Sequence, residues 1–260
     1  MRPDDRLQEI LNIVNDEARV LISDLTKVLK VSEMTIRRDI EHLSRLGLLR
    51  REKGFVIKGV SGSFEPAFAI RSEIASKAKN EIAKFVATLI NDRETIVLDG
   101  GSTGVAVAKQ LTERELTVCA LSFRVADILR AAPKIQLMVI GGFVRKGEES
   151  LIGPAALETL RNYHFDQMIM TASGLDPTYG LTEWNSDDAM IKRAAHHAST
   201  RTIVAADSSK FGVKAFGKVC ELKEISILVT DSAIDKSYKV KYDKVHRNRY
   251  RRHWYSLSCH

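Results

Sequence analysis

The sequence is poor in features that mark several protein classes. Its 260 residues include three cysteines, Cys119, Cys220 and Cys259. An odd number at such wide spacing supports neither a disulfide framework nor a zinc motif, so buried thiols are expected. No apolar run approaches the roughly 20 residues that span a bilayer, and the opening M-R-P-D-D lacks the apolar core of a signal peptide. A cytoplasmic protein is the expectation. His196 and His197 are adjacent, so on a helix they diverge by about 100°, and His253, Cys259 and His260 lack regular ligand spacing. Neither group predicts a metal site. Ser122 and Ser173 have no recognisable nucleophile setting, and nothing implies a cofactor.

Acidic residues are also scarce in one place. From Lys236 to His260 there are eight Lys and Arg against the single acid Asp243, a net charge of +7 that equals the charge of the whole chain. The remaining 235 residues are formally neutral. A nucleic-acid reading must therefore rest on where cations are placed, not on the pI of about 9.3.

They are placed tellingly between Val31 and Leu49, V-S-E-M-T-I-R-R-D-I-E-H-L-S-R-L-G-L-L. Ile36, Ile40 and Leu43 recur at helical spacing and predict one buried stripe, with Met34, Arg38, Glu41 and Arg45 near the opposite side. Ser32 is placed to cap the helix, leaving free N–H groups at its start for a phosphate, with Thr35 and Arg37 in the first turns. Helical patterns over Arg6–Val14 and Ser23–Leu29 precede it, and Lys30 and Val31 leave only a tight turn, as a helix-turn-helix requires. Gly47 is expected to end the third helix. Leu48–Arg51 and Phe55–Lys58 then read as two strands around Glu52, Lys53 and Gly54, a wing whose cations Arg50, Arg51 and Lys53 suit a DNA backbone.

Length allows one further domain of ordinary size. Residues 59–75, beginning G-V-S-G-S-F-E-P, read as a linker, so residues 1–58 form the winged module and 76–235 the second domain. There Thr95–Leu98 is an apolar strand running into Asp99-Gly100-Gly101-Ser102-Thr103-Gly104 and then a helix from Val105 to Leu111. Strand, glycine-rich turn and helix make a phosphate cradle of backbone N–H groups and hydroxyls, although the turn is neither a Walker loop nor a dinucleotide fingerprint. Strands at Leu116–Ala120, Gln136–Ile140, Gln167–Thr171, Thr202–Ala206 and Ile225–Thr230 alternate with helices. That alternation predicts a mainly parallel α/β sheet covered on both faces, with Asp99, Gly141, Gly174 and Asp207 just past strand ends, where such sheets gather ligands.

These segments resemble the DeoR family of bacterial transcription regulators. Ser32–Ile40, S-E-M-T-I-R-R-D-I, is close to the family's recognition helix. Glu52-Lys53-Gly54-Phe55 departs from the family wing, which usually has a basic residue or His before paired glycines. The resemblance implies a second domain like the sugar-phosphate isomerase fold, binding a phosphorylated sugar as effector. Asp99, Gly101, Ser102 and Thr103 fall in the family's phosphate turn, Gly142 and Arg145 in its G-G-x-x-R segment, and Gly174 and Asp176 in the next motif. Asn185, Asp188, Lys192 and Arg193 match a stretch usually written with Glu in place of Asp188, and Lys210 lies in D-S-S-K-F-G. Leu121 stands where the family commonly has Asn, which removes an amide that can bind a sugar hydroxyl.

At the start of the basic tail, residues 236–260, Asp235–Lys244 still resembles the family's last helix. Val245–His260 mixes basic and aromatic residues with little apolar periodicity, and disorder or an altered reading frame is expected there; if ordered on nucleic acid it would add salt-sensitive affinity. The resemblance implies a homo-oligomeric repressor of a carbohydrate operon, its operator DNA binding modulated by a sugar phosphate, with no catalytic residue. An isomerase-like enzyme carrying a DNA module is the alternative, in which Asp99, Asp176 or Asp188 acts as acid or base.

Overall fold

The computed structural model describes residues 3–17, 19–45, 48–58, 65–235, 237–238 and 253–257. They fall into two compact units, Met1–Ser76 and Lys77–His260.

The first unit holds α1 (Pro3–Glu17), β1 (Arg19–Leu21), α2 (Ile22–Leu29), α3 (Glu33–Arg45), β2 (Leu49–Glu52), β3 (Phe55–Lys58) and α4 (Phe68–Glu73). Apolar positions spaced three and four apart turn inward on each of the first three helices. Ile10 and Val14 of α1, Leu25 of α2, and Ile36, Ile40 and Leu43 of α3 are fully buried together. Lys30 ends α2 in the left-handed region, at φ 53° and ψ 42°, which reverses the chain within the tight turn. Gly47 lies outside the described residues; α3 ends at Arg45, and the Leu48 N–H returns to the Leu43 carbonyl at 3.0 Å.

The wing is a hairpin of β2 and β3 closed by Lys53 and Gly54, both at positive φ, as a two-residue turn between twisted strands requires. β1 adds a third strand in register with β3, Arg19 opposite Ile57. At three residues it is too short to show a period. Another feature without a sequence signal is the ion pair of Arg6 and Asp39, at 2.5 Å with both side chains mostly buried, which ties α1 to the inner side of α3. The pair holds the Arg6 guanidinium above its usual range through the hydrogen bond to Asp39.

The expected linker over 59–75 needs correction. Residues 59–64 lie outside those described, but Phe68–Glu73 is helical, and Ile70 and Ile74 pack against the core of the winged module. Arg71 pairs with Glu65 at 3.1 Å and donates to the Pro66 carbonyl at 2.9 Å. Apolar residues in this stretch are thus used to extend the first unit, which runs to Ser76.

The second unit opens with α5 (Ser76–Thr88), followed by β4 (Thr95–Leu98), α6 (Gly101–Leu111), β5 (Leu116–Ala120), α7 (Phe123–Leu129) and β6 (Ile135–Val139). A small hairpin, β7 (Phe143–Val144) and β8 (Leu151–Ile152), leads to α8 (Pro154–Arg161) and β9 (Phe165–Thr171). Then come β10 (Gly174–Asp176), β11 (Gly180–Glu183), α9 (Ser186–His197), β12 (Ser199–Ala205), β13 (Gly217–Cys220), β14 (Ile227–Asp231) and β15 (His253–Leu257).

Seven strands form one parallel sheet in the order β15-β14-β12-β9-β4-β5-β6. Period-two alternation sends neighbouring side chains to opposite faces: Val97, Met168 and Val204 join one core, Ile96, Leu98, Ile169 and Ile203 the other. Because both faces are covered, the central strands carry consecutive buried apolar residues, Ile96-Val97-Leu98, Met168-Ile169-Met170 and Ile203-Val204-Ala205, which read as continuous runs. β10, β11 and β13 form a separate antiparallel sheet that the sequence did not announce.

The tail also differs from expectation. His253–Leu257 is a strand, paired in parallel with β14 from Ile227 opposite His253 to Asp231 opposite Leu257. Disorder therefore does not extend to these five residues, whose sequence H-W-Y-S-L has no polar–apolar alternation to mark a strand among the surrounding arginines. Residues 239–252 and 258–260 lie outside those described.

Candidate functional site

Two surfaces carry chemistry. In the first unit, Ser32 caps α3: its Oγ accepts from the Thr35 N–H at 3.3 Å and contacts the Thr35 hydroxyl at 2.9 Å. Met34 is 73% exposed beside it. Arg37 is held along the helix by Glu33 four residues earlier, a pair open to water. Arg38 is exposed and has no ion-pair partner among the described residues. Arg45 closes α3, and its side chain is outside what is described. On the wing Arg51 and Lys53 are exposed, Lys53 at the turn itself, while Arg50 stands 3.7 Å from Glu52. A helix with a buried apolar stripe thus turns exposed polar and cationic groups outward, with Arg38 free of any ion pair among the described residues, flanked by a basic hairpin, which is a geometry for the major groove and an adjoining backbone.

In the second unit the chain leaves β4 in one direction through β5 and β6, then returns to β9 on the other side of β4. That reversal is a topological switch point at the carboxyl ends of β4 and β9, the place where open parallel sheets bind ligands. Asp99, just past β4, is 4% exposed. Its Oδ2 accepts from the Thr171 N–H at 2.8 Å and the Thr171 hydroxyl at 2.6 Å, and its Oδ1 from the Gly100 N–H at 2.8 Å. Lys192 of α9 reaches Asp99 at 2.8 Å and Glu183 more closely still, and donates to the Thr171 carbonyl at 3.2 Å. Glu183 in turn accepts from the Trp184 N–H at 2.8 Å and from the Ser173 hydroxyl. One buried ammonium between two buried carboxylates holds the ends of β4, β9 and β11 to α9. The two carboxylates hold the Lys192 ammonium above the ordinary lysine range against the opposing effect of burial. Lys192 likewise keeps the Glu183 carboxyl below its usual value.

Beside this network Asn185 caps α9, its Oδ1 accepting from the N–H groups of Asp187 and Asp188 at 2.8 and 3.2 Å. Asp188 meets Arg145 at 2.7 Å, and Arg145 also donates to the Ser150 hydroxyl at 3.2 Å, so the β7–β8 hairpin is latched to α9. Burial pushes the Asp188 carboxyl up despite the guanidinium. The glycine turn is more helical than expected: α6 begins at Gly101, so Ser102 and Thr103 lie in its first turn instead of in a loop before Val105. Their N–H groups are among those a helix start leaves without intrahelical partners, at the positive end of the dipole.

Other expected residues have local tasks. A Cβ on Gly142 would stand 2.3 Å from the Ile152 carbonyl oxygen, and one on Gly174 2.4 Å from that of Val213, so both glycines permit close backbone approach. Asp176 spends one oxygen on the N–H groups of Thr178 and Tyr179, at 2.9 and 2.8 Å, and closes its own hairpin; its other oxygen is 3.5 Å from Lys214. Lys210 lies in a short 3-10 turn (Ser208–Lys210) beside buried Asp207, whose carboxyl Lys210 and Lys79 hold below the usual range. Leu121 is buried in the core, and Ser122 caps α7 through the Val125 N–H at 3.3 Å. Thr171 and Glu183 carry the network but were not singled out in the sequence. The available clue was Lys192 four residues after Asp188, a lysine on the inward face of a helix that must find buried carboxylates.

No group of three or more His, Cys, Asp or Glu is arranged to hold a metal among the described residues. His196 instead contacts the Thr202 hydroxyl at 2.7 Å. Cys119 and Cys220 are free and buried, their thiols pushed up to about 12 by burial.

A model of the DeoR-like helix-turn-helix domain matches residues 6–57, and one of the DeoR C terminal sensor domain matches residues 74–232. The chain belongs to the DeoR family. This DeoR-family chain is 31% identical to the HTH-type transcriptional repressor GlcR of Bacillus subtilis over 231 residues, 89% of each protein. It is 29% identical to a putative aga operon transcriptional repressor of Escherichia coli O157:H7, over 88% of this chain and 87% of that one. Ribose 5-phosphate isomerase A of Methanocaldococcus jannaschii aligns with 53% of this chain and 55% of its own at 18% identity and a TM-score of 0.41, from which nothing about activity follows. The DeoR-family protein is a DNA-binding transcriptional regulator with a C-terminal sensor domain. No described helix is long and apolar enough to cross a membrane.

The charge network has a pH signature. Glu183 and Asp207 have lowered values in the fold, so their stabilisation is complete above their ordinary values of 4.5 and 3.8 and is lost as pH falls below these through the lowered values. Lys192, raised above 10.5, adds stability that is lost only as pH rises beyond that value. Thermal melts of the sensor domain are therefore expected to be flat from about pH 5 to 9 with respect to these three groups and to fall steeply below pH 4.5. Glu183→Gln should make the acid limb shallower; an unchanged limb would show that Glu183 does not contribute to it.

Proposed function

We propose that this regulator represses a carbohydrate-utilisation operon and that a phosphorylated sugar, bound in the sensor crevice, modulates its grip on operator DNA as a homo-oligomer. The observation that carries this reading is the start of α6 standing at the sheet's switch point beside the Asp99–Lys192–Glu183 network. A helix start favours a phosphate, while fixed carboxylates and hydroxyls suit sugar hydroxyls. Ser102, Thr103, Arg145, Asn185, Asp188 and Lys210 are the side chains assigned to the effector, and the Arg145–Asp188 latch is the contact that an incoming phosphate would compete for. Gly101, Gly142 and Gly174 shape the backbone around it, and Asp176 supports the β10–β11 turn.

Recognition is favoured over turnover because the sensor domain is fused to a DNA-binding module and Asp99, Asp176 and Asp188 are each already engaged by fixed partners, Lys192 and Thr171, the Thr178 and Tyr179 N–H groups, and Arg145. The operon repressor among its relatives supports repression of an operon by this chain.

Screening the purified protein against phosphorylated and free sugars by thermal shift tests the reading. A ligand at 100 times its Kd adds about 2.7 kcal/mol to the sensor transition. One phosphosugar should shift it, the free sugar should not, and Lys210→Ala should abolish the shift while leaving DNA affinity intact. NMR of that phosphosugar after incubation should show no isomer. A shift by no phosphosugar, or catalytic conversion, overturns the proposal.

A further inference from the structure

A second concave site lies on the other side of α9 from Asp188 and Lys192. Met190, Arg193, Ala194 and His197 fall at helical spacing along α9 and face a groove completed by Leu157, Leu160 and Arg161 of α8 and by Tyr163, His164 and Ala198. Its volume is about 510 Å³, the size of a small-molecule site. The lining combines an apolar body with cations and contains no carboxylate. Leu160 is buried in the floor, whereas Tyr163 and Met190 remain 54% and 42% exposed at the walls.

The cations are ordered in advance. Arg193 donates to the carbonyls of Val219, at 3.3 Å, and Lys218, leaving other N–H donors of its fork unused by these bonds. His164 is held by the Thr200 hydroxyl at 2.8 Å. Arg161 pairs with Glu158 at 3.3 Å, but both ends are well exposed and water-screened, so the guanidinium can turn to another anion. The basic groups also offset the partial negative charge where α8 and α9 end.

We propose that this groove binds a small amphipathic organic anion, an aryl or short-chain acyl carboxylate or sulfonate, with its apolar body on Leu157, Leu160 and Met190 and its anionic head at Arg161 and Arg193. The argument for this occupant is charge complementarity: a concave apolar floor rejects bare phosphate, and a carboxylate-free basic rim rejects a cation. α9 carries both this groove and the sensor network, so its occupant and a crevice ligand act on one helix.

Full-length protein titrated with 1-anilinonaphthalene-8-sulfonate tests the proposal. Saturable fluorescence with one site per chain is expected, and Met190→Glu and Arg161→Glu should each weaken binding at least tenfold with unchanged circular dichroism. Arg130→Glu, an exposed reversal on the segment after α7, should leave it unchanged. Absent or non-saturable binding overturns the site, as does equal binding by all three variants. So does light scattering in which Met190→Glu dissociates an oligomer whose native form does not bind the probe, because the groove is then filled by a second copy. The outcome is independent of whether a phosphosugar binds the crevice.

Discussion

Replacing Lys192 by methionine is expected to lower the melting temperature of the sensor domain by roughly 6–20 °C. The ammonium is 8% exposed and the carboxylates of Asp99 and Glu183 are each 6% exposed. Methionine keeps most of the volume, so the loss is electrostatic. Two ionised carboxylates remain out of water with their cation gone, and breaking a buried ion pair in this way costs about 3–5 kcal/mol. At about 2–4 °C per kcal/mol for a domain of this size, the stated shift follows. Thr171, Gly100, Trp184 and Ser173 still donate to the two carboxylates, which is why the domain is expected to remain folded at ambient temperature. Adding Glu183→Gln to Lys192→Met should recover part of the loss, since one uncompensated charge disappears; calorimetry of the single and double variants measures it. A drop under about 2 °C would mean that water reaches the network.

Arg38→Ala is expected to weaken operator binding about 5- to 150-fold, the loss of one bidentate base contact worth about 1–3 kcal/mol. Arg38 is exposed and has no competing ion pair among the described residues, whereas Arg37 is engaged by Glu33 and should lose less on substitution. The buried face of α3 is untouched, so the melting temperature should not move. Fluorescence anisotropy with an operator selected from a random duplex library gives the affinity, and its salt dependence gives the type of contact. If Arg38 reads a base, discrimination between operator and random DNA falls while the salt slope stays; if it binds phosphate, the slope falls by about one. Equal affinity of the variant and the native protein would remove Arg38 from the interface.

Much of the molecule was legible because local periodicity and burial agree. The stripe of Ile36, Ile40 and Leu43 reads directly as the inner face of α3, and Ser32 as its cap, since both are relations within one turn or two. The parallel strands read as apolar runs because both faces of the sheet are covered. What was missed falls into two kinds. Elements of two or three residues such as β1, β7 and β10 are too short to establish a period, β15 is obscured by the basic and aromatic residues of the tail, and α4 was hidden in a stretch that opens with glycine and serine. Long-range polar pairs leave no local trace either. Arg6 and Asp39 are 33 positions apart and Asp99 and Thr171 are 72 apart, separations that only the fold closes.

The amino-acid sequence by itself determined the division into a winged helix-turn-helix and a parallel α/β domain, the outward row of α3 and the glycine turn after β4, because each is written in spacing, capping and turn chemistry. Tertiary structure alone decided that Lys192 joins Asp99 to Glu183, that Arg145 latches onto Asp188, that Asp176 closes a hairpin, and that α9 has a basic apolar groove on its far side. Buried charges choose partners by proximity in a medium that stabilises them poorly unpaired, and proximity between distant segments is set by how the elements pack.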